Sequence, residues 1–312
     1  MKKLFIRAFE AIGLLVLVVT LLGCKQPQEK IKILLPSGTP LMAVAGLLDN
    51  EYYEFEVASG ADVLAPAMVS KSHDVVIAPI NAGAKAYIGG GSKFKMASVI
   101  TLGNNYIISK KDVKLDSLKD LEGKKVMAYG QNNVPDMIMK AALAKEGVNA
   151  VVEYVASVAD TAAYLANVND EYDFILTAEP QLSTLQIKKG FELNIIDLQA
   201  VLKDEIAKVP QAAVYVNPEA NQASIKAFLK DLEKNIESLN EKPEEYANNV
   251  VAKHAFFETL GKEVLAKCLP TSNITFMSAK DNIKILEAYY ALVDKYNPKF
   301  FNGARPDEAF YY

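Results

Sequence analysis

One pattern occurs twice in this chain. The first copy opens at VASGAD, Val57 to Asp62, and closes at DVVIAP, Asp74 to Pro79. The second opens at VASVAD, Val155 to Asp160, and closes at DFILTAEP, Asp173 to Pro180. In each, an apolar strand runs into a Ser/Asp cap, a short apolar helix follows, and an Asp turn leads to a buried strand and a proline loop. The parallel extends upstream. KIKILLPSGTPLMAVAGLL (Lys30 to Leu48) and KKVMAYGQNNVPDMIMKAAL (Lys124 to Leu143) both read strand, polar loop, apolar helix. Each half is therefore β–loop–α–β–α–β–loop, which calls for a mainly parallel sheet covered by helices. Two such lobes, with loops at the carboxyl ends of their strands, predict a cleft between them. Were the likeness of the halves accidental, two α/β lobes would still follow.

Ahead of the first lobe, Lys2, Lys3 and Arg7 form a basic region before AIGLLVLVVTLL, Ala11 to Leu22. That run is shorter than the roughly 20 residues a spanning helix needs. It ends in Leu21-Leu22-Gly23-Cys24, which resembles the lipobox of bacterial lipoproteins, with Cys24 as the residue that would carry lipid after cleavage. The alternative is an ordinary signal peptide or membrane anchor. Residues 1–23 are read as the leader and set apart from the fold, and residues 24–30 as a polar tether. Two or three acyl chains on Cys24 would hold such a protein stably on a membrane.

The rest of the 312 residues is long enough for two cored domains. A net charge of −4, with no basic block, argues against a nucleic-acid partner. Cys24 and Cys268 are the only cysteines, so acylation of the first leaves no intrachain disulfide. Arg305 is the sole arginine beyond the leader.

The loops at the strand ends carry the candidate contacts. Pro36-Ser37-Gly38-Thr39-Pro40 enters a helix that Thr39 is expected to cap, with Pro40 at its first position. Free N–H groups there would face a ligand, though the same letters serve a plain β–α turn. Pro66 requires a helix start near Val63 or a kink. Asn81 is the polar residue of the loop after Pro79. Gly89-Gly90-Gly91 is a turn, since no GK[ST] follows. Gly103-Asn104-Asn105 breaks an apolar stretch and marks the first crossing between lobes. Gly130-Gln131-Asn132-Asn133 is the counterpart of the Ser37 loop and carries three adjacent amides, suited to ligand hydrogen bonds or to a solvated turn. Glu179 lies where a strand end meets a helix start; it could accept from a ligand amine or favour the positive helix end. LQAVLKDEIAKV reads as helix, and Pro210-Gln211 introduces the returning strand. Asn217-Pro218 reads as a helix start. Ile225, Phe228, Leu229, Leu232, Ile236 and Leu239 mark one buried face of the helix that follows. Later helices around Glu244 to His254, Lys262 to Leu269 and Lys280 to Tyr296 are expected to pack across lobe one.

This layout resembles the substrate-binding proteins of bacterial ABC transporters. More narrowly, it is similar to the group that binds sulfonates, taurine, nitrate and thiamine-pyrimidine precursors. The likeness rests on LLGC, LPSGTP, IAPINAGAK, LKDLEGKKV, LTAEPQL and the ending from Asn297-Pro298 to RPDEAFYY. It implies two Rossmann-like lobes joined by two hinge strands, a type II periplasmic binding protein with a C-terminal helical extension on lobe one. Lobe one would comprise 31–105 and 212–312, and lobe two 106–211. Carried over residue by residue, the ligand contacts would be Ser37, Thr39, Asn81, Asn104, Gln131, Asn132, Asn133 and Glu179. The absence of arginine near these loops argues against a carboxylate or phosphate ligand.

The function implied is capture of a small solute and delivery to a membrane permease by a lipid-anchored, extracytoplasmic monomer, with no cofactor and no metal. A neutral, zwitterionic or amine-bearing solute suits the residues, a pyrimidine or other heteroaromatic ring among them, with Tyr106 or Tyr129 to stack on it. An enzyme on the same scaffold is the alternative. Against it, His73 and His254 read as surface or packed residues, a Cys268–His254 dyad has a buried cysteine as its plainer reading, and HExxH, CxxC and GxSxG are all missing. A sensor or adhesin lipoprotein is a further alternative.

Overall fold

A computed structural model describes residues 28–58, 60–166 and 172–312. Cys24 and the leader lie outside them. The first lobe opens with β1 (Ile31–Pro36), α1 (Thr39–Val44), β2 (Tyr53–Ala58), α2 (Leu64–Ser70), β3 (Val75–Pro79), α3 (Ile80–Ile88) and β4 (Lys95–Leu102). The second holds β5 (Asn105–Lys110), β6 (Lys125–Tyr129), α4 (Val134–Glu146), β7 (Val151–Val155), α5 (Val158–Ala166), β8 (Phe174–Ala178), α6 (Gln181–Lys188), β9 (Leu193–Asp197) and α7 (Leu198–Val201). The chain then returns through β10 (Pro210–Val216) to α8 (Gln222–Glu241), α9 (Pro243–Val250), α10 (Ala255–Leu260), α11 (Lys262–Cys268), β11 (Ile274–Ser278) and α12 (Ile283–Tyr296).

The repeat is visible in the strand order. One sheet runs β11-β4-β10-β3-β1-β2, the other β7-β6-β8-β5-β9. In the first, β1 pairs in parallel with β2 and β3; in the second, β6 does the same with β7 and β8. The next strand in each sheet, β10 or β5, is antiparallel and belongs to a crossing of the chain between lobes. The alternation of the sequence thus accounts for the parallel part, and the crossings supply the antiparallel part.

Strand β1 lacks polar alternation because both faces of its sheet are covered. Ile33 and Leu35 join α1 and α8 to α11 in one core, whereas Leu34 faces α2 and α3 in another. The second core continues into lobe two through Val126, Met137 and Leu176. Helix α12 contributes Leu286, Tyr289 and Tyr290 to it and touches both β10 and α4. It therefore bridges the two lobes, where packing on lobe one alone was expected. Among the described residues, no helix is long and apolar enough to cross a membrane.

Local departures have simple causes. The helix after Asn217 begins later: Asn217 Oδ1 accepts from the Glu219 N–H in a turn, and Asn221 caps α8 by accepting from Ala223 and Ser224. The segment after β9 is helical only from Leu198 to Val201. Strand β11 and helix α10 were not anticipated. Near Pro66, α2 starts at Leu64, so the proline falls within the first turn, where its missing N–H costs nothing.

The two crossings are tied to each other. The Gly103 N–H donates to the Val209 carbonyl at 2.7 Å, and Gln199 both accepts from the Asn105 N–H (3.1 Å) and donates to its carbonyl (3.0 Å). A Cβ at Gly103 would stand 2.8 Å from Gln199. Farther into lobe one, a Cβ on Gly83 would lie 2.1 Å from the ring of Tyr215, a wholly buried residue whose hydroxyl donates to Ile80. Gly83→Ala must displace that ring, and a cost of about 1–3 kcal/mol is expected from overpacking. Urea unfolding of the variant against the parent checks it.

Candidate functional site in the interlobe cleft

The carboxyl ends of β1, β3, β6 and β8 converge on a cleft of about 260 Å³ between the lobes. Lobe one lines it with Ser37, Thr39, Thr101 and Gln211, and lobe two with Tyr129, Asn133 and Glu179. Asn104, on the crossing itself, closes the inner end. Helices α1, α4 and α5 begin at its wall with Thr39, Val134 and Val158, so their free N–H ends give the cavity a positive tendency without a cationic side chain. Among the described residues no lysine or arginine lines it.

Thr39 does not cap its helix. The cap position falls to Gly38, whose φ of 87° is a left-handed conformation that glycine adopts without strain. The Thr39 hydroxyl is thereby released to span the cleft: it donates to the Glu179 carbonyl at 3.3 Å and accepts from Asn104 Nδ2 at 3.1 Å. Asn104 is 1% exposed, and its Oδ1 has no hydrogen-bond partner. Oε1 of Gln211, on the same wall, is also buried and unpartnered. An orphaned acceptor in a protein interior costs about 1–3 kcal/mol. Two on one cavity wall mark places where a ligand donor would recover that cost.

The Glu179 side chain is 5% exposed and satisfied by protein. Ser183 donates to it through its N–H (3.1 Å) and hydroxyl (3.0 Å), and Thr271 donates from the other lobe at 2.7 Å. Tyr106, which does not line the cleft, donates to the Thr271 carbonyl at 3.2 Å. Glu179 thus joins the lobes at the seam. Burial pushes its carboxyl above the usual glutamate range, against the opposing pull of the Thr271 and Ser183 bonds.

The amide-rich loop is mostly turn chemistry. Gly130 and Asn132 adopt φ of 70° and 61°, conformations that Gly and Asn tolerate best. The Asn132 N–H donates to buried Asp136 at 2.8 Å, and Tyr154 and Lys140 complete that carboxylate's partners. Gln131 and Asn132 are exposed and do not line the cleft; Asn133 does. Asn81 is 1% exposed and its Oδ1 accepts from the Ala82 N–H. It lines an adjoining, more open groove of about 750 Å³ between α2 and α3, which Asn133 also borders. Five of the eight expected residues therefore meet on the inner cleft: Ser37, Thr39, Asn104, Asn133 and Glu179. Thr101, Gln211 and Tyr129 are further polar residues of its lining. The position of Pro210-Gln211 before a strand that returns to lobe one was the available signal for Gln211. Tyr129 follows from being the last residue of β6.

The remaining chemical candidates are structural. His254 Nδ1 accepts from the Phe256 N–H at the start of α10. Cys268 is buried, its thiol donates to the Leu265 carbonyl, and burial pushes it well above the usual thiol range. The His73 ring sits between Ser72 (2.9 Å) and Glu56 (3.1 Å). Among the described residues no cluster of three His, Cys, Asp or Glu could hold a metal.

Two like-built lobes with a polar cavity at the carboxyl ends of their strands define the type II periplasmic binding protein fold, and comparison with known proteins agrees. Residues 94–246 match the family model described as NMT1/THI5 like. No curated protein sequence matches the chain. Among solved structures, an ABC transporter from Parabacteroides distasonis is similar at a TM-score of 0.77 and 22% identity, over 91% of this chain and 98% of that one. The periplasmic aliphatic sulphonate binding protein SsuA from Escherichia coli is similar at 0.71 and 15%, over 92% of both chains. The ligand-binding component of an ABC-type import system from Staphylococcus aureus, solved with zinc bound, gives 0.67 and 15%, over 91% and 98%.

A pH prediction follows from Glu179. A carboxyl whose native pKa exceeds its unfolded value holds its proton more tightly when folded. Its contribution to stability is full below the ordinary glutamate range and is lost as pH rises through the raised native value. In Glu179→Gln that loss should vanish, since the Ser183 and Thr271 hydroxyls can rotate to suit an amide. Urea midpoints of parent and variant over roughly pH 4 to 8 measure the difference.

Proposed function

We propose that the protein captures a small polar solute between its lobes and delivers it to an ABC permease, acting as a binding protein and not as an enzyme. The observation that carries this reading is the pair of buried, unpartnered acceptors, Asn104 Oδ1 and Gln211 Oε1, on the wall of the interlobe cleft. Both invite N–H donors, and among the described residues no lysine or arginine lines the cleft to balance an anion. A neutral, zwitterionic or amine-bearing solute fits, and Tyr129 offers a ring face to a flat heterocycle. Ser37, Thr39, Asn133 and Glu179 frame the bound solute, Glu179 chiefly by holding the seam.

Cys24, in a leader that resembles a lipobox, would fix the protein to the outer face of the cell membrane as a monomer within reach of its permease. Closure on the solute requires contacts that favour the closed form, because equal affinity for both forms shifts nothing. Groups from both lobes line the cleft, and a solute that touches both supplies contacts of that kind.

A thermal-shift screen of nutrient solutes tests the reading. At 100 times its dissociation constant a ligand adds about 2.7 kcal/mol of stability, a readily measured rise in Tm. Asn104→Ala should abolish that rise while retaining a parent-like circular dichroism spectrum. Silence of the folded parent toward every small solute would overturn capture.

A further inference from the structure

The inner cleft and the larger groove are neighbours that share Asn133 in their linings. The groove differs in chemistry from the cleft. Ala65, Pro66 and Val69 of α2 face Ala82 and Ala86 of α3, and Phe300 lies at its margin. Lys85 contributes its stem and sets its ammonium 4.8 Å from the centre of the Phe300 ring. Val69 is 51% exposed, one of the most exposed large apolar residues described. A lone exposed valine means little, but here it forms part of a mainly apolar groove beside the cleft.

We infer that the solute is amphipathic, with an N–H-bearing head at Asn104 and Gln211 and an apolar chain that passes Asn133 into the groove between α2 and α3. This rests on the capture reading and specifies what is captured. The polar end is fixed by the two orphaned acceptors. The apolar end is fixed by adjacency: the depression that shares Asn133 with the cleft is walled mainly by alanine, proline, valine and phenylalanine carbon, and the Oδ1 of its Asn81 already accepts from the Ala82 N–H, so a solute long enough to enter it gains chiefly by shedding water from hydrocarbon. The inner cleft, about 260 Å³, holds a head group, whereas the outer groove, about 750 Å³, has room for a chain or a second ring. Asn133, at the amino end of α4 with no capping bond from its side chain, stands at the junction and can contact the linkage between the two parts.

Isothermal titration of the whole mature protein with n-alkylamines from butyl to decyl tests the assignment, with the matching n-alkyl carboxylates as the opposite head. The amines should bind and the carboxylates should not. Affinity should climb by about fourfold for each methylene that enters the groove and level off once the tail is longer than the groove. Val69→Glu, at an exposed position where surface changes are tolerated, should remove most of the gain with length. Binding that ignores tail length, or a length dependence that survives Val69→Glu, overturns the apolar subsite while capture stands. Preference for the carboxylates, or no binding of either series by protein whose Tm responds to another solute, overturns the head assignment. A protein that responds to neither series nor to any other solute removes the capture reading itself.

Discussion

A single buried carboxylate sits where the two halves of this protein meet, and its satisfaction fixes how they meet. Glu179 can keep its carboxyl out of water only because Ser183 donates twice from its own helix and Thr271 reaches across from the other lobe. Its backbone carbonyl is held by Thr39, which in turn is held by Asn104. Buried charges are costly unless each lone pair finds a donor. The seam is therefore specified by a short chain of hydroxyls and amides, and apolar contacts alone would not fix its register. The cleft lies beside that chain, and its shape depends on it.

Much of the architecture was legible because the repeat encodes strand, cap and helix in the same order twice, and local chemistry obeys local rules. The strand order around β1 and around β6 follows from the alternation, and the break at Gly103-Asn104 locates one crossing. What was not legible depended on distant partners. Nothing near Ile274 announces an edge strand; β11 forms because β4 offers it an open side. A helix ending at Tyr296 was legible, although its α-helical part starts at Ile283 and not at Lys280. Its contact with α4 was not, because that requires knowing how the lobes are set against each other.

The site divides the same way. Loops at strand ends pointed to Ser37, Thr39, Asn104, Asn133 and Glu179, all of which line the cleft. The three-amide loop was less informative than its composition promised, since Gln131 and Asn132 lie outside the cleft lining and Asn132 serves the turn through its positive φ and its N–H bond to Asp136. Gln211 had only its position at the start of the returning strand to announce it. Its importance lies in being buried without a partner, a property of the fold and not of the letters around it.

The tie between the two chain crossings has a mechanical consequence. Gly103 and Val209 are bonded to each other, and Gln199 grips Asn105 on both sides, so neither passage can twist independently. Asn104 sits between the two bonded residues Gly103 and Asn105, so its backbone is pinned on both sides. A side chain anchored in this way is a fixed post for a guest, its position set by the passages themselves and not by either lobe's loops.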